Sequence, residues 1–501
     1  MFKSTLDYHN LTSYDRFDMK GHYMDWPHQP SVFKEYTGAD LVGLAPGGPY
    51  EQVSIPEFLL NETRKGSPSS MDFSVLSSIL HLSHSITAKA KYGGNYFYYR
   101  SVASAGALYP FETYVWAMNL PGIDGGLYHH NIARDGLEQL RHGGEGFEVR
   151  ELLGSEDTVI PTLVFFVSAI FFRSSWKYRD RAYRYHLLDS GHLLENLTLA
   201  LEYHGLDYDI CYDFKDTGVN QFLHVDPARE VCLAAVIVQG RSVSEITTEN
   251  GPKLPATDFS VYSKVSSGEV DYPAIRSIHS LTTKSVNCQS IDRKKLANLG
   301  LHLKFETKVN IRNIASPSIG YPDAVFGRRS LRNFIKKQVS TAQIDYLLSI
   351  TGFADPASNG IQTGLIVSDV EGLANGFYLY DANDRSLFEA RKGDLIDDMT
   401  HICLDQAWLA NCAAHFLIMA NMREIECQFG PRGYRRALLT AGRLGQRLYI
   451  GATSLMFGCC GIGAFYDSEA SKLLGLNDDS RLVYLLGVGP IKKRSGTTPQ
   501  T

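Results

Sequence analysis

The chain carries much of its sequence twice, and this restricts its fold more than any other feature. Arg181-Ala-Tyr-Arg-Tyr-His-Leu-Leu-Asp-Ser-Gly-His-Leu193 returns 251 positions later as Arg432-Gly-Tyr-Arg-Arg-Ala-Leu-Leu-Thr-Ala-Gly-Arg-Leu444. Three further markers recur at nearly the same distance. Ala103-Ser104-Ala105-Gly106 matches Ala357-Ser358-Asn359-Gly360, and Gly126-Leu127-Tyr128 matches Gly376-Phe377-Tyr378. Gly240, after the run Val231 to Val238, matches Gly489 after Arg481 to Val488. Collinear matches at one spacing imply two homologous halves that fold alike, each the size of a domain. The expected boundaries are 1–245 and 316–501, with a connector richer in Ser, Thr and Lys over 246–315.

Both halves mix two periodicities. Tyr185 to His204 and Ala437 to Met456 place apolar residues at helical spacing with few breakers, and Asp405 to Met422 suggests another helix. Phe111 to Ala117, Thr162 to Phe171, Val231 to Val238 and Leu482 to Val488 read as strands. The fold class is therefore α+β, with helices packed on a sheet.

Composition narrows function by exclusion. At 44 % apolar and 21 % charged residues, the chain has the balance of a soluble globular protein with a sizeable core. A net charge of -5 argues against a general nucleic-acid footprint. The longest apolar run, Pro161 to Phe172, is too short to span a bilayer. Met1 to Arg16 lacks the apolar segment of a secretory signal. None of the eight cysteines forms a CxxC pair, and Cys459-Cys460 reads as core packing. His186 and His204 have no metal-site spacing. The expectation is a cytoplasmic protein with no metal, membrane or nucleic-acid partner.

Dinucleotide and nucleotide fingerprints are missing. Gly487-Val-Gly489 leads into Lys492 rather than the start of a GxGxxG helix, and there is no GxxxxGK[ST] loop. Two basic clusters frame the second half instead: Arg328-Arg329-Ser330-Leu331-Arg332 and Lys492-Lys493-Arg494. Either one alone reads as a solvated face, yet Arg forks beside a Ser hydroxyl also suit a phosphate monoester. Gly461-Ile462-Gly463 follows a long helix. It reads either as a helix-ending turn or as small residues that let main-chain amides approach a flat ligand.

Taken together, these motifs resemble the nitroreductase superfamily, and within it the thiazoline/oxazoline dehydrogenases of the SagB/ThcOx type. The first half carries Tyr8-His9, Phe33-Lys34-Glu35-Tyr36 and Tyr99-Arg100-Ser-Val-Ala-Ser104-Ala-Gly106-Ala-Leu-Tyr109-Pro110. Trp176-Lys177-Tyr178, Arg181 to Tyr185 and Asp189-Ser-Gly191-His192 follow. The second half carries Arg328 to Phe334, Gly430 to Arg435, Gly461 to Phe465 and Leu485 to Pro490. The resemblance implies a tandem-fused pair of nitroreductase-like domains forming an intramolecular pseudo-dimer, with FMN at the interface.

Two pseudo-symmetric sites are then expected, and they differ in quality. Site one would take Arg328, Arg329, Ser330, Arg332, Gly461, Ile462, Gly463, Lys492, Lys493 and Arg494 from the second half. From the first half it would take Ser104, Ala105, Gly106, Lys177 and Tyr178. In site two, Arg64-Lys65-Gly66-Ser67-Pro68 replaces the Arg-Arg-Ser motif, and Asp207-Tyr208-Asp209-Ile210 replaces the Gly-x-Gly stretch, adding negative charge. Gln428-Phe429 replaces the Lys-Tyr pair, Ser358-Asn359-Gly360 the Ser-Ala-Gly turn, and Arg241 alone stands for the basic triplet. One FMN per chain is the expectation.

By resemblance, the reaction is oxidation of a thiazoline or oxazoline in a modified peptide to the azole, with O2 as acceptor. Lys177 and Tyr178 are the catalytic candidates, with Arg179 and Arg181 close enough in sequence to lower the lysine's pKa. The Arg328-Arg329-Ser330 motif and the closing basic triplet would hold the phosphate, Arg332 the pyrimidine edge of the flavin, and the amides of Gly461 and Gly463 its N5/O4 edge. Asp189 and His192 are read as structural or substrate-lining residues. A cyclodehydratase partner and a further homodimer stay open. The rival readings are an NAD(P)H-dependent nitro- or quinone reductase and a flavin-free scaffold in a peptide-modifying complex.

Overall fold

The computed structural model describes residues 2–19, 21–59, 71–92, 95–118, 120–143, 146–154, 159–238, 241–242, 259–285, 296–303, 309–310, 314–352 and 359–492. The repeat becomes two seven-stranded antiparallel sheets. The first holds β1 (Asp40–Gly43), β2 (Phe111–Ala117), β3 (Gly126–Asn131), β4 (Gly136–His142), β5 (Leu163–Ile170), β6 (Tyr208–Cys211) and β7 (Glu230–Val238), in spatial order β1-β4-β3-β2-β5-β7-β6. The second holds β8 (Val309–Asn310), β9 (Ile361–Val367), β10 (Gly376–Asp381), β11 (Ser386–Lys392), β12 (Ala414–Asn421), β13 (Gly458–Ile462) and β14 (Ser480–Gly489). Its order, β8-β11-β10-β9-β12-β14-β13, is the same.

The helices that carry the argument are α1 (Thr5–Leu11), α2 (Phe171–Tyr178), α3 (Ala182–Tyr203), α4 (Asp216–Phe222), α5 (Pro273–Leu281), α6 (Met422–Phe429), α7 (Gly433–Ser454) and α8 (Asp467–Leu474). The four expected strands are present, and the two long helices begin three to four residues earlier than expected.

One expectation fails. Asp405 to Met422 is not a helix but a short 3-10 turn, Ala407–Asn411, followed by β12. All eight residues of β12 are buried, and the strand pairs on both edges, with β9 and β14. A strand buried on both faces shows no in–out alternation, so periodicity alone does not separate it from a buried helix.

The halves share one apolar core that includes α3 and α7 residues with strands of both sheets. Reciprocal buried ion clusters tie them together. Asp467 at the start of α8 accepts from Arg181 Nη1 at 2.8 Å and Arg184 Nη1 at 2.6 Å. At the equivalent place, Asp216 at the start of α4 binds Arg432 and Arg435, the latter at 2.6 Å. Burial alone would raise the Asp467 carboxyl, but Arg181 and Arg184 outweigh it and hold the group well below its ordinary range. Within the 246–315 stretch, α5 and its C-cap pack on α3 through His279 and Thr282, both within 3.2 Å of the Tyr183 hydroxyl.

Candidate functional site

The described part of site one assembles between the halves. Arg328 reaches from the second half to the first, donating from Nε to the Ser101 carbonyl and from Nη2 to the Arg100 carbonyl, both at 2.8 Å. The residue is 3 % exposed. Its Nη1 has no hydrogen-bond partner among the described residues, and no carboxylate joins its contacts. Burial therefore pulls the guanidinium below its usual range. A buried cation without a counter-anion is costly, and an anionic ligand group would complete it.

Ser330, two residues after this cation, forms an isolated parallel β-bridge with Cys459 of β13. The Tyr449 hydroxyl links them, 2.9 Å from Ser330 Oγ and 2.7 Å from the Gly461 amide it accepts from. The C-terminal strap runs alongside, with the Lys492 amide donating to the Asn333 carbonyl at 3.0 Å and its side chain exposed. Arg329 reaches the first half: its Nη2 donates to the Thr87 carbonyl and its guanidinium lies over Tyr99, both on the hairpin Ile86–Tyr92/Asn95–Arg100. Lys493 and Arg494 lie outside the described residues, as do Arg64 to Pro68 and Ser358.

The first half supplies the opposite wall. Gly106 sits at φ +65° with Lys177 and Tyr178 against it; a Cβ there would lie 2.9 Å from Tyr178 Oη and 3.2 Å from Lys177 Nζ. The left-handed backbone favours glycine here, and a Cβ would displace the tips of both side chains. Lys177, at the end of α2, is half-buried. Burial and then the Arg332 guanidinium pull its amine below the ordinary lysine range. The cation that acts on Lys177 is therefore Arg332 of the second half, not Arg179 or Arg181 as expected; Arg181 is committed to Asp467. The Tyr178 ring stacks tilted on Tyr185 at 4.3 Å, and burial raises its hydroxyl.

The Gly-x-Gly stretch has a different reason from the one expected. A Cβ on Gly461 would fall 1.9 Å from the Tyr484 hydroxyl, and one on Gly463 would fall 2.6 Å from the Tyr185 ring. The Gly461 amide donates to the Tyr449 hydroxyl at 2.7 Å. Ile462 pairs with Leu485 and is buried in the second half's own core.

A Nitroreductase family model matches residues 63–241 and 325–490, which together exceed half of the sequence. The chain belongs to the Nitroreductase family. A nitroreductase-like protein of Methanocaldococcus jannaschii is 26 % identical over 176 residues, 33 % of this chain and 89 % of that one. The trifolitoxin-processing protein TfxB of Rhizobium leguminosarum is 29 % identical over 148 residues, covering 28 % of this chain and 39 % of that protein. A crystal structure of a nitroreductase-like protein from Anabaena variabilis is similar at 26 % identity with a TM-score of 0.79, over 98 % of this chain and 100 % of that one.

Within this tandem nitroreductase, strand register shows what became of the second site. Val238 pairs with Leu163 and Tyr208, and Val488 pairs with Ala414 and Cys459. Tyr208 therefore corresponds to Cys459, Ile210 to Gly461 and Tyr212 to Gly463. This shifts the expected replacement from Asp207–Ile210 to Ile210–Tyr212, and Asp207 and Asp209 are exposed. The Tyr212 carbonyl accepts from Arg432 at 2.8 Å, as the Gly463 carbonyl accepts from Arg181 at 2.9 Å. Arg436 spans the rings of Tyr212 and Phe429, and Arg443 and Arg447 converge on the buried Glu195. Tyr212 and Arg436 thus stand at the repeat positions that Gly463 and Tyr185 hold in site one.

Asp189 and His192 form no pair. His192 Nδ1 meets Gln446 Oε1 at 2.8 Å and its Nε2 meets the Tyr484 hydroxyl at 3.0 Å, while Asp189 turns to Ser104 and Ala105. Sequence reasoning missed Tyr449, Tyr484 and Gln446, whose only local signal is a place on a buried element. A cavity of about 440 Å³ lined by His81, His84, His130 and Asp135 shares no residue with site one. Among the described residues no cluster of His, Cys, Asp and Glu could hold a metal, and no helix is long and apolar enough to cross a membrane.

Proposed function

We propose that this chain is an FMN-dependent oxidoreductase that oxidises thiazoline or oxazoline rings of a modified peptide to azoles, with O2 as the acceptor. The observation that carries the cofactor is the buried Arg328 guanidinium, which among the described residues has no partner for Nη1 and no counter-anion. Arg328 and Ser330, with Lys492 from the strap, would hold a phosphate by charge-assisted hydrogen bonds. Bound FMN would supply hydride acceptance and transfer of two electrons to O2, giving hydrogen peroxide.

The chain's own residues would manage the proton. Lys177, depressed by burial and Arg332, would take the proton from one ring carbon as a neutral amine while the hydride leaves its neighbour. Arg332 would also favour negative charge gathering at the reduced cofactor. The likeness to a trifolitoxin-processing protein favours a peptide substrate, and a cyclodehydratase partner that forms the azoline is consistent with that chemistry.

The visible spectrum of purified protein, with flavin analysis after denaturation, tests the reading. Close to one FMN per chain is expected, because only one of the two sites keeps the full set of Arg328, Ser330, Gly106 and Lys177. Colourless protein that stays apo with added FMN would favour the scaffold, and rapid bleaching of bound flavin by NADPH the reductase.

A further inference from the structure

We propose that Asp189 is a positioning residue: from beneath, its carboxyl sets the Ser104–Gly106 turn against which Lys177 and Tyr178 stand. The turn needs such a support. Gly106, Ala107 and Tyr109 all have positive φ, of +65°, +54° and +45°. For Ala107 and Tyr109 this is an uncommon backbone that persists only where surrounding contacts over-determine it.

Asp189 supplies those contacts. Ser104 Oγ donates to it at 2.6 Å, and the Ala105 amide donates to both of its oxygens at 3.1 and 3.2 Å. Ser104 Oγ in turn accepts the Tyr109 amide at 2.9 Å, so one carboxyl fixes both ends of the turn. The groups facing it are Tyr178 of α2 and Tyr484 of β14; His192, one turn along α3, looks away to Gln446 and Tyr484. No cation is among its hydrogen-bond partners, and burial, partly offset by Ser104 and Ala105, pushes the carboxyl up to about 7. An unpaired acid at this depth disfavours folding wherever it is charged.

The repeat supplies an independent control. The position equivalent to Asp189 in α7 is Thr440, whose buried hydroxyl has no partner among the described residues. The carboxyl is thus present only on the side that also has Lys177 and Tyr178, which Gln428 and Phe429 replace in the other half.

The consequence for the cofactor rests on the FMN reading, but the turn itself can be tested without it. Amide hydrogen exchange in the full-length apoprotein reads segment 101–110 directly. Asp189→Ala should accelerate exchange there by about tenfold, the loss expected for a buried hydrogen bond, with α3 and α7 unchanged; Asp189→Asn, which keeps an acceptor, should recover most of the protection. With FMN added, the visible circular dichroism of the bound flavin should change in the Ala variant and return toward wild type in the Asn variant. Wild-type exchange over 101–110 in Asp189→Ala would overturn the proposal. Wild-type protein that takes up no FMN, with the exchange result intact, would overturn the proposed function and leave the role of Asp189 standing.

Discussion

Gly191 of α3 and Gly442 of α7, equivalent residues of the two halves, face each other where the helices cross. A Cβ on Gly191 would lie 2.2 Å from the Leu439 carbonyl oxygen, and one on Gly442 would lie 2.1 Å from that of Leu188. In each case the other glycine's Cα would be 3.0 Å away. The pseudo-twofold relation of the halves thus runs through backbone-to-backbone contact. Alanine at either position must push the helices apart, at a cost of about 1–3 kcal/mol or more for overpacking. Denaturant unfolding of Gly191→Ala and Gly442→Ala should show this loss, and a midpoint equal to wild type for both would contradict the close crossing.

The reciprocal ion clusters should matter equally. Replacing Asp467 with Asn leaves Arg181 and Arg184 buried without their acid, which typically costs about 3–5 kcal/mol. The sign with pH follows from the depressed carboxyl. Its stabilisation is fully present above the unfolded aspartate pKa, near 3.9, and is lost as pH falls below that value toward the lower folded one. Thermal melts of wild type should weaken below about pH 4, and Asp467→Asn should remove that part of the slope.

Arg328→Ala removes the unpaired cation together with its bonds to Arg100 and Ser101. FMN content should fall from near one per chain to a small fraction, with the far-ultraviolet circular dichroism retained. Arg329→Ala, on the hairpin, should keep its flavin. Equal flavin content in the two variants would reverse the assignment.

Lys177→Ala should keep FMN yet lose about 10²–10⁴-fold in turnover of an azoline peptide, the range for a positioned base. Because burial and Arg332 depress the wild-type amine, its rate should rise with pH along a limb below the ordinary lysine range. Arg332→Gln should move that limb upward, and Lys177→Ala should abolish it. A limb unmoved in both variants would exclude Lys177 as the base.

The duplication, the α+β class, four strands and two long helices were legible in the residues because each depends on local pattern: period, breakers and the recurrence of one motif. The Asp405 to Met422 stretch was not, since a strand buried on both faces loses its alternation. The arginines of the two repeated motifs stood out, but their partners Asp467 and Asp216 did not. A carboxylate 283 residues from Arg184 leaves no trace in local sequence.

The same division runs through the site. Sequence by itself determined which residue types each half kept: Arg328 and Ser330 in one, Ser104, Gly106 and Lys177 in the other. Tertiary structure alone decided that Arg328 faces inward while Arg329 lies on the hairpin, that Arg332 rather than Arg181 acts on Lys177, and that Tyr212 stands where Gly463 would be. Side-chain direction, burial and the field of a distant charge are properties of packed surfaces, and those surfaces exist only once the two halves have closed on each other.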